Sequence, residues 1–246
     1  MPGGVTTSVG GSGEIGRDAY EAAFPRVSDG LTLYLWRPLA FAPVRSALAA
    51  GVPASAAVTA EALLAILVFD CFWRGRYWLG LVVSLAVMLV GVAAMMLSRL
   101  THATPAADRL RIVVELLYPL SWWWAWEHGL AAYGRPFEPI YATMLLAVVV
   151  GGMIAINAVE ALAIHSCNGM EIHAWRPIDG KFRLVSAARN PNLVILAAAL
   201  LFRRPDSGFV LVAWWVLISL IFHSVRFAQI TERQARRQAI SSWLDR

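Results

Sequence analysis

Residues 77–97 read YWLGLVVSLAVMLVGVAAMML, and this stretch decides the fold. It carries no charge over the roughly 20 residues that an α-helix needs to cross the hydrocarbon core of a bilayer. Working outward, residues 55–73, 112–132, 139–165 and 208–230 also have the length of spans, although Glu115 and a Trp-rich patch interrupt 112–132. A shorter apolar run, 191–202, precedes the last of them. Residues 187–190 can extend it, and Arg203 and Arg204 behind it can snorkel to the interface. Counted as a span, it brings the expected fold to an all-α integral membrane bundle of about six transmembrane helices. Composition agrees, since 59% of the residues are hydrophobic and 15% charged, against about a quarter charged in a soluble domain.

The basic residues set the orientation. Arg17, Arg26, Arg37 and Arg45 precede the first span, and Arg99, Arg109 and Arg111 follow the second. Arg176, Lys181, Arg183 and Arg189 follow the fourth, and Arg226, Arg233, Arg236, Arg237 and Arg246 close the chain. With six spans all of these share one side, leaving Arg74, Arg76, Arg135, Arg203 and Arg204 on the other. The positive-inside rule puts the richer side in the cytoplasm. The expected location is therefore the cell's inner, cytoplasmic membrane, with both termini cytoplasmic. Without the 191–202 span the basic tail would lie outside. The net charge of +5 suits a face against anionic lipid, and no basic-aromatic module points to nucleic acid. Cys71 and Cys167 fall on opposite sides, which argues against a disulfide within the chain.

Residues 1–25 are expected to form a disordered tail: the first sixteen are rich in Gly, Ser and Thr and lack the apolar core of a signal peptide. Residues 26–232 make the membrane domain, and 233–246 a basic cytoplasmic tail. Ser28-Asp29-Gly30 reads as a turn and a helix start. Residues 31–49, interrupted by Pro38 and Pro43, suggest an N-terminal helix along the interface, with a buried hairpin as the alternative, before a turn at Gly51-Val52-Pro53. The polar loop 167–190 holds a turn at Pro177-Ile178-Asp179-Gly180. Trp122, Trp123, Trp124 and Trp126 are expected at the membrane interface, which serves both the apolar ring and the N–H of an indole. Gly151-Gly152 suggests close helix contact.

Ionisable groups near spans are candidate functional residues by default. Glu160, His165, Glu171 and His173 lie near the inner end of the fourth span. Glu160 and His165, five residues apart, diverge on a helix, and Glu171 and His173 are expected to be solvated, so no metal is expected there. His223 and Arg226 share a helix face and suit a lipid phosphate. Asp70 can pair with Arg74 one turn on. No H-E-x-x-H, phosphate-binding loop or G-x-S-x-G is present.

Several short stretches, in order over roughly residues 26–230, resemble the CDP-alcohol phosphatidyltransferase family. Ser28-Asp29-Gly30 with Arg37-Pro38 resembles its juxtamembrane entry, and Gly75-Arg76-Tyr77-Trp78-Leu79 its turn into the second span. Arg189-Asn190-Pro191-Asn192, an apolar run and then Arg204-Pro205 are similar to its approach to the last two spans. The resemblance implies a six-span enzyme that joins a CDP-activated group to an alcohol and releases CMP. The family's motif is D-x2-D-G-x2-A-R-x8-G-x3-D-x3-D, with one more spacer residue allowed. Carboxylates three or four apart share a helix face, and two such pairs make an oxygen cage for divalent cations. The metals neutralise pyrophosphate, and the last aspartate activates the acceptor hydroxyl.

Anchored on Arg99, the first two acidic positions are Gly91 and Ala94, the motif glycine is Met95, and Ser98 precedes the arginine. The later pair falls on Ile112 and Leu116, or on Val113 and Leu117 with the longer spacer, and the second glycine on Asp108 or Arg109. None of the side chains at the four acidic positions can ligate Mg²⁺. The expectation is a degenerate relative, inactive by itself. It would bind lipid or nucleotide-lipid, as a homodimer or as a heterodimer with an intact paralogue. No cofactor is expected, Mg²⁺ or Mn²⁺ belonging only to an intact motif. Arg37, Arg99, Arg109, Arg111 and Arg189 are the candidates for an anionic ligand, because arginine suits bidentate phosphate contacts. Glu115 is the sole candidate for catalysis. The alternatives are an active phosphotransferase with a metal-independent or relocated site, and a small transporter, although no inverted repeat marks a central site.

Overall fold

The computed structural model describes residues 16–25, 27–101, 104–167, 169–238 and 242–245. The first fifteen residues of the expected tail, Arg26, Arg246 and the side chain of Asp108 lie outside the described set. Among the described residues every regular element is helical. In chain order they are α1 (Arg17–Ala23), α2 (Arg37–Ala49), α3 (Ala54–Trp73), α4 (Tyr77–Leu100), α5 (Pro105–Ala132), α6 (Pro139–Ser166), α7 (Pro177–Arg183), α8 (Arg189–Leu201) and α9 (Pro205–Ala235). A π-helical turn, Thr32–Trp36, leads into α2, and another, Ala147–Gly151, lies within α6. Proline opens α5, α6, α7 and α9, where its missing N–H has no intrahelical partner to lose.

Four helices, α3, α4, α6 and α9, are each long and apolar enough to cross a membrane. Two of the six expected spans do not meet both conditions. α5 has 28 residues, but Arg109, Arg111, Glu115 and Glu127 lower its apolar character. α8 is apolar but only 13 residues long. Large side chains such as Leu63, Ile66, Val82, Leu85, Trp214 and Ile221 are exposed on the long helices, as lipid-facing positions would be.

Within the expected tail, residues 17–23 form α1. Tyr20 is fully buried and its hydroxyl donates to the Arg37 carbonyl at 2.7 Å. Arg37 pairs with Glu21, and Arg99 donates to the Ala23 carbonyl at 2.9 Å. The Ser28-Asp29-Gly30 helix start is present: Asp29 accepts from the Thr32 N–H at 3.0 Å and from its hydroxyl at 2.7 Å, which satisfies a donor the helix leaves open. Pro38 and Pro43 do not interrupt α2, since Pro38 sits in its first turn and Pro43 within it. Pro177–Gly180 is not an isolated turn either but the start of α7.

The tryptophan patch is core rather than interface. Trp122, Trp123 and Trp126 are fully buried, and of the four only Trp124 is exposed. At 100° per residue a helix cannot turn four side chains within five positions to one face. α5 buries three of them against its neighbours. The Trp122 indole donates to the Ala65 carbonyl at 3.0 Å, and Trp126 stacks on Tyr77 with ring centres 4.2 Å apart. The helices meet closely here, since a Cβ on Gly129 of α5 would fall 1.9 Å from the Phe72 carbonyl oxygen at the end of α3. In the other half α6 packs on α9. Gly152 makes the expected close contact, a Cβ there falling 2.4 Å from Val216, whereas Gly151 faces open space.

Candidate functional site

A cavity of about 490 Å³ lies at the end of the bundle that carries α1 and the entry to α2. Gly91, Met95 and Arg99 of α4 and Glu115 and Leu116 of α5 form one wall. Asn157 and Glu160 of α6, then His173, Arg183, Arg189 and Asn190, form the other, with Asp29 and Thr32 beside Asn190. The polar residues arrive from segments far apart in sequence, and three networks position them.

The first ties the N-terminal segment to α8. The Asn190 side-chain amide donates to Asp29 Oδ1 and to Thr32 Oγ1, each at 2.9 Å, and all three residues are buried. The Gly30 N–H donates to the Leu184 carbonyl at 2.9 Å. Asp29 therefore accepts from its own helix start and from α8 at once, so the segment cannot shift without disturbing the cavity.

The second runs through the bundle interior. Glu61 of α3 has no exposed side-chain surface and lies 3.8 Å from Arg189. Arg189 also sits over the Tyr118 ring at 5.0 Å. On α5, Arg111 donates to Glu115 at 2.8 Å. The Arg189–Glu61 and Arg111–Glu115 pairs thus bring two carboxylates and two guanidinium groups together across α3, α5 and α8.

The third joins α6, the 3-10 turn Ile172–Ala174 and α9. Glu160 Oε1 lies 2.9 Å from His173 Nε2 and 3.0 Å from His223 Nε2, with Arg183 at 3.5 Å. Both histidines are buried. Below them the Asp179 carboxylate is fully buried and meets Arg226 at 2.7 Å. Burial pushes the Asp179 carboxyl above its ordinary range, and Arg226 and then Arg176 oppose that shift.

Of the expected anion-binding residues, Arg99 and Arg189 reach the cavity, as does Glu115. Arg111 stands behind Glu115 as its partner. Arg37 is taken by Glu21 and by the Phe24 ring at 5.1 Å, and Arg109 is exposed away from the cavity. The expected solvation of His173 is overturned, since it is 2% exposed, while His165 and Glu171 are exposed. His223 is fully buried against Glu160 rather than facing lipid, and Arg226 holds Asp179 rather than a phosphate. Asp70 and Arg74 pair at 2.8 Å.

No motif in the sequence marks Glu61 or the link between His223 and Glu160. Glu61 did carry a signal, being a carboxylate well inside an apolar run. His223 and Glu160 lie 63 residues apart on different helices, and no spacing connects them. Compared with models of protein families and with curated proteins, the chain matches none.

Proposed function

We propose that this chain is a six-span protein of the cytoplasmic membrane and a degenerate relative of the CDP-alcohol phosphatidyltransferases. It holds the phosphate groups of a lipid or nucleotide-lipid in the cavity without transferring them. One observation carries the reading. Arg99, Arg183 and Arg189 line one cavity, whose lining at two positions where the family resemblance would set carboxylates is Gly91 and Leu116. Arginine is suited to phosphate, and a wall of Cα hydrogens and leucine methyls cannot cage Mg²⁺. The six-span topology is supported by packing: α5 lies along α3 through its buried tryptophans, and a Cβ on Gly208 of α9 would fall 2.5 Å from Ala199 of α8.

The test uses purified protein in detergent with CDP-diacylglycerol, Mg²⁺ or Mn²⁺ and a mixture of polyols. Saturable binding without CMP release is expected, beside an intact family member that releases CMP in the same assay. CMP release by the purified chain would make it a transferase, and absence of saturable binding would remove the holding role. An active enzyme with a relocated site is favoured by one observation, the Glu61 carboxylate lying against Gly91. CMP release that is abolished by Glu61→Gln would establish that second reading.

A further inference from the structure

Glu160, His173 and His223 form a triangle of donor atoms. Its sides are 2.9 Å from Glu160 Oε1 to His173 Nε2, 3.0 Å from Glu160 Oε1 to His223 Nε2, and 3.1 Å between the two Nε2 atoms. The other ring nitrogens are committed. His173 Nδ1 faces the Asp179 carbonyl oxygen at 3.3 Å, and His223 Nδ1 faces the Ser219 carbonyl oxygen at 2.6 Å. A carbonyl oxygen only accepts, so each Nδ1 carries the N–H, and a neutral imidazole so held turns a lone pair outward at Nε2. Two nitrogen lone pairs and a carboxylate oxygen then meet at contact distance, three acceptors with no donor among them. Such a cluster needs positive charge, either a proton on an imidazole or a bound cation, and three donor atoms facing one point have the arrangement of a cation site.

We infer that Glu160, His173 and His223 bind a divalent transition-metal ion of the zinc type. Two imidazoles and one carboxylate are a recurrent zinc ligand set, with bonds of about 2.0–2.2 Å. Tetrahedral bonds of that length separate their donor atoms by roughly 3.3 Å, a few tenths more than the sides of this triangle. The nitrogen ligands select against Mg²⁺ and Ca²⁺, which take oxygen. The backbone carbonyls behind each Nδ1 supply the outer support that fixes tautomer and ring orientation at such sites. On the α9 side Phe182 stacks on Phe222 with centres 3.8 Å apart, and both rings flank the fully buried His223.

Glu160 and His173 line the cavity, so the ion's remaining position opens into it, where water or a phosphate oxygen can complete the shell. Arg183 Nη1, 3.5 Å from Glu160 Oε1, is at the long limit of a hydrogen bond and also lines the cavity. It balances the carboxylate when no ion is bound and can turn into the cavity when one enters. None of the three ligands belongs to the aspartate motif. The inference therefore stands apart from the lipid-holding reading, and its test needs no lipid ligand.

The test is metal content and Co²⁺ titration on the full chain, purified in detergent without chelator. About one zinc-type ion per chain is expected. After stripping, Co²⁺ should give the visible absorption of a low-coordinate nitrogen and oxygen site without a thiolate charge-transfer band. His223→Gln and Glu160→Gln should weaken Co²⁺ binding by about 100-fold or more while leaving helical content unchanged. If either variant fails to fold, X-ray absorption of the zinc-loaded wild type decides the matter, with two imidazoles and an oxygen in the first shell expected. Absence of binding below millimolar Co²⁺ would overturn the inference and assign protons to the histidines. Undiminished binding in both variants, or a thiolate band from Cys167, would overturn it as well.

Discussion

The Glu61 carboxylate on α3 lies in the space that a side chain on Gly91 of α4 would need: a Cβ on Gly91 would fall 2.5 Å from Glu61 Oε1 and 3.0 Å from its Cδ. A carboxylate thus stands beside position 91 although α4 supplies none. Glu61 is held there by burial and by Arg189 at 3.8 Å. Position 91 has to be glycine for this approach, and Glu61 has to be long to make it.

Returning an aspartate to position 91 would therefore not restore a cage by itself. Gly91→Asp is expected to crowd two carboxylates into one buried space and to destabilise the fold by about 1–3 kcal/mol, the usual range for overpacking. Gly91→Asp combined with Glu61→Ala should recover most of the loss. Thermal unfolding in detergent checks both, and a double variant no more stable than the single one would refute the shared space.

Position should matter more than charge in ligand binding. Arg99→Gln and Arg189→Gln each remove a guanidinium from the cavity and are expected to weaken CDP-diacylglycerol binding about tenfold, the lower end for a charge-assisted hydrogen bond. Arg109→Gln removes the same charge from an exposed place outside it and should leave affinity within about twofold. Equal losses in all three would mean that general surface charge, not the cavity, attracts the lipid.

The Tyr20 phenol is pushed up to about 12, first by burial and then by Glu21, with Arg37 opposing. Its folded value lies above the ordinary 10.0, so its stabilising contribution is complete below pH 10 and fades as pH rises toward 12. Tyr20→Phe removes the bond to the Arg37 carbonyl and should cost about 0.5–1.5 kcal/mol near neutrality. The gap in melting temperature between wild type and variant should narrow across that alkaline window. A gap that is constant with pH would show that the phenol titrates alike in both states.

Gly129→Ala should be among the most damaging single changes. Its Cβ would meet the Phe72 carbonyl oxygen at 1.9 Å, and backbone cannot swing aside as a side chain can. The end of α3 and α5 would have to part, opening the seam that buries Trp122 and Trp126. A loss of about 3 kcal/mol or more is expected, read as a lower melting temperature and a red-shifted tryptophan emission. Gly151→Ala, facing open space in α6, is the matched control and should be neutral or slightly stabilising.

Features set by a few neighbouring residues could be read from the chain alone. The long apolar runs mark α3, α4, α6 and α9, because crossing a bilayer is a matter of local length and polarity. The Asp29 cap and the Asp70–Arg74 pair were legible for the same reason, as each closes within one helical turn. Arg99 and Arg189 stand out in the sequence through short stretches in order, and Glu115 as the carboxylate nearby; all three line the cavity, while Arg37 pairs with Glu21 and Arg109 is exposed outside it.

Which helix faces meet was decided only by the tertiary structure. Three of the four tryptophans turned inward because α5 had partners on several sides, which a rule about membrane interfaces does not contain. Glu61 beside Gly91 depends on how closely α3 and α4 approach, and Glu160 beside His223 on α6 and α9 arriving at the same depth. Hydrophobic periodicity determines that a helix exists and which side avoids water. The identity of the side chains brought within 3 Å across 63 residues depends on packing, where steric fit and the need to pair every buried charge select among arrangements the sequence leaves open.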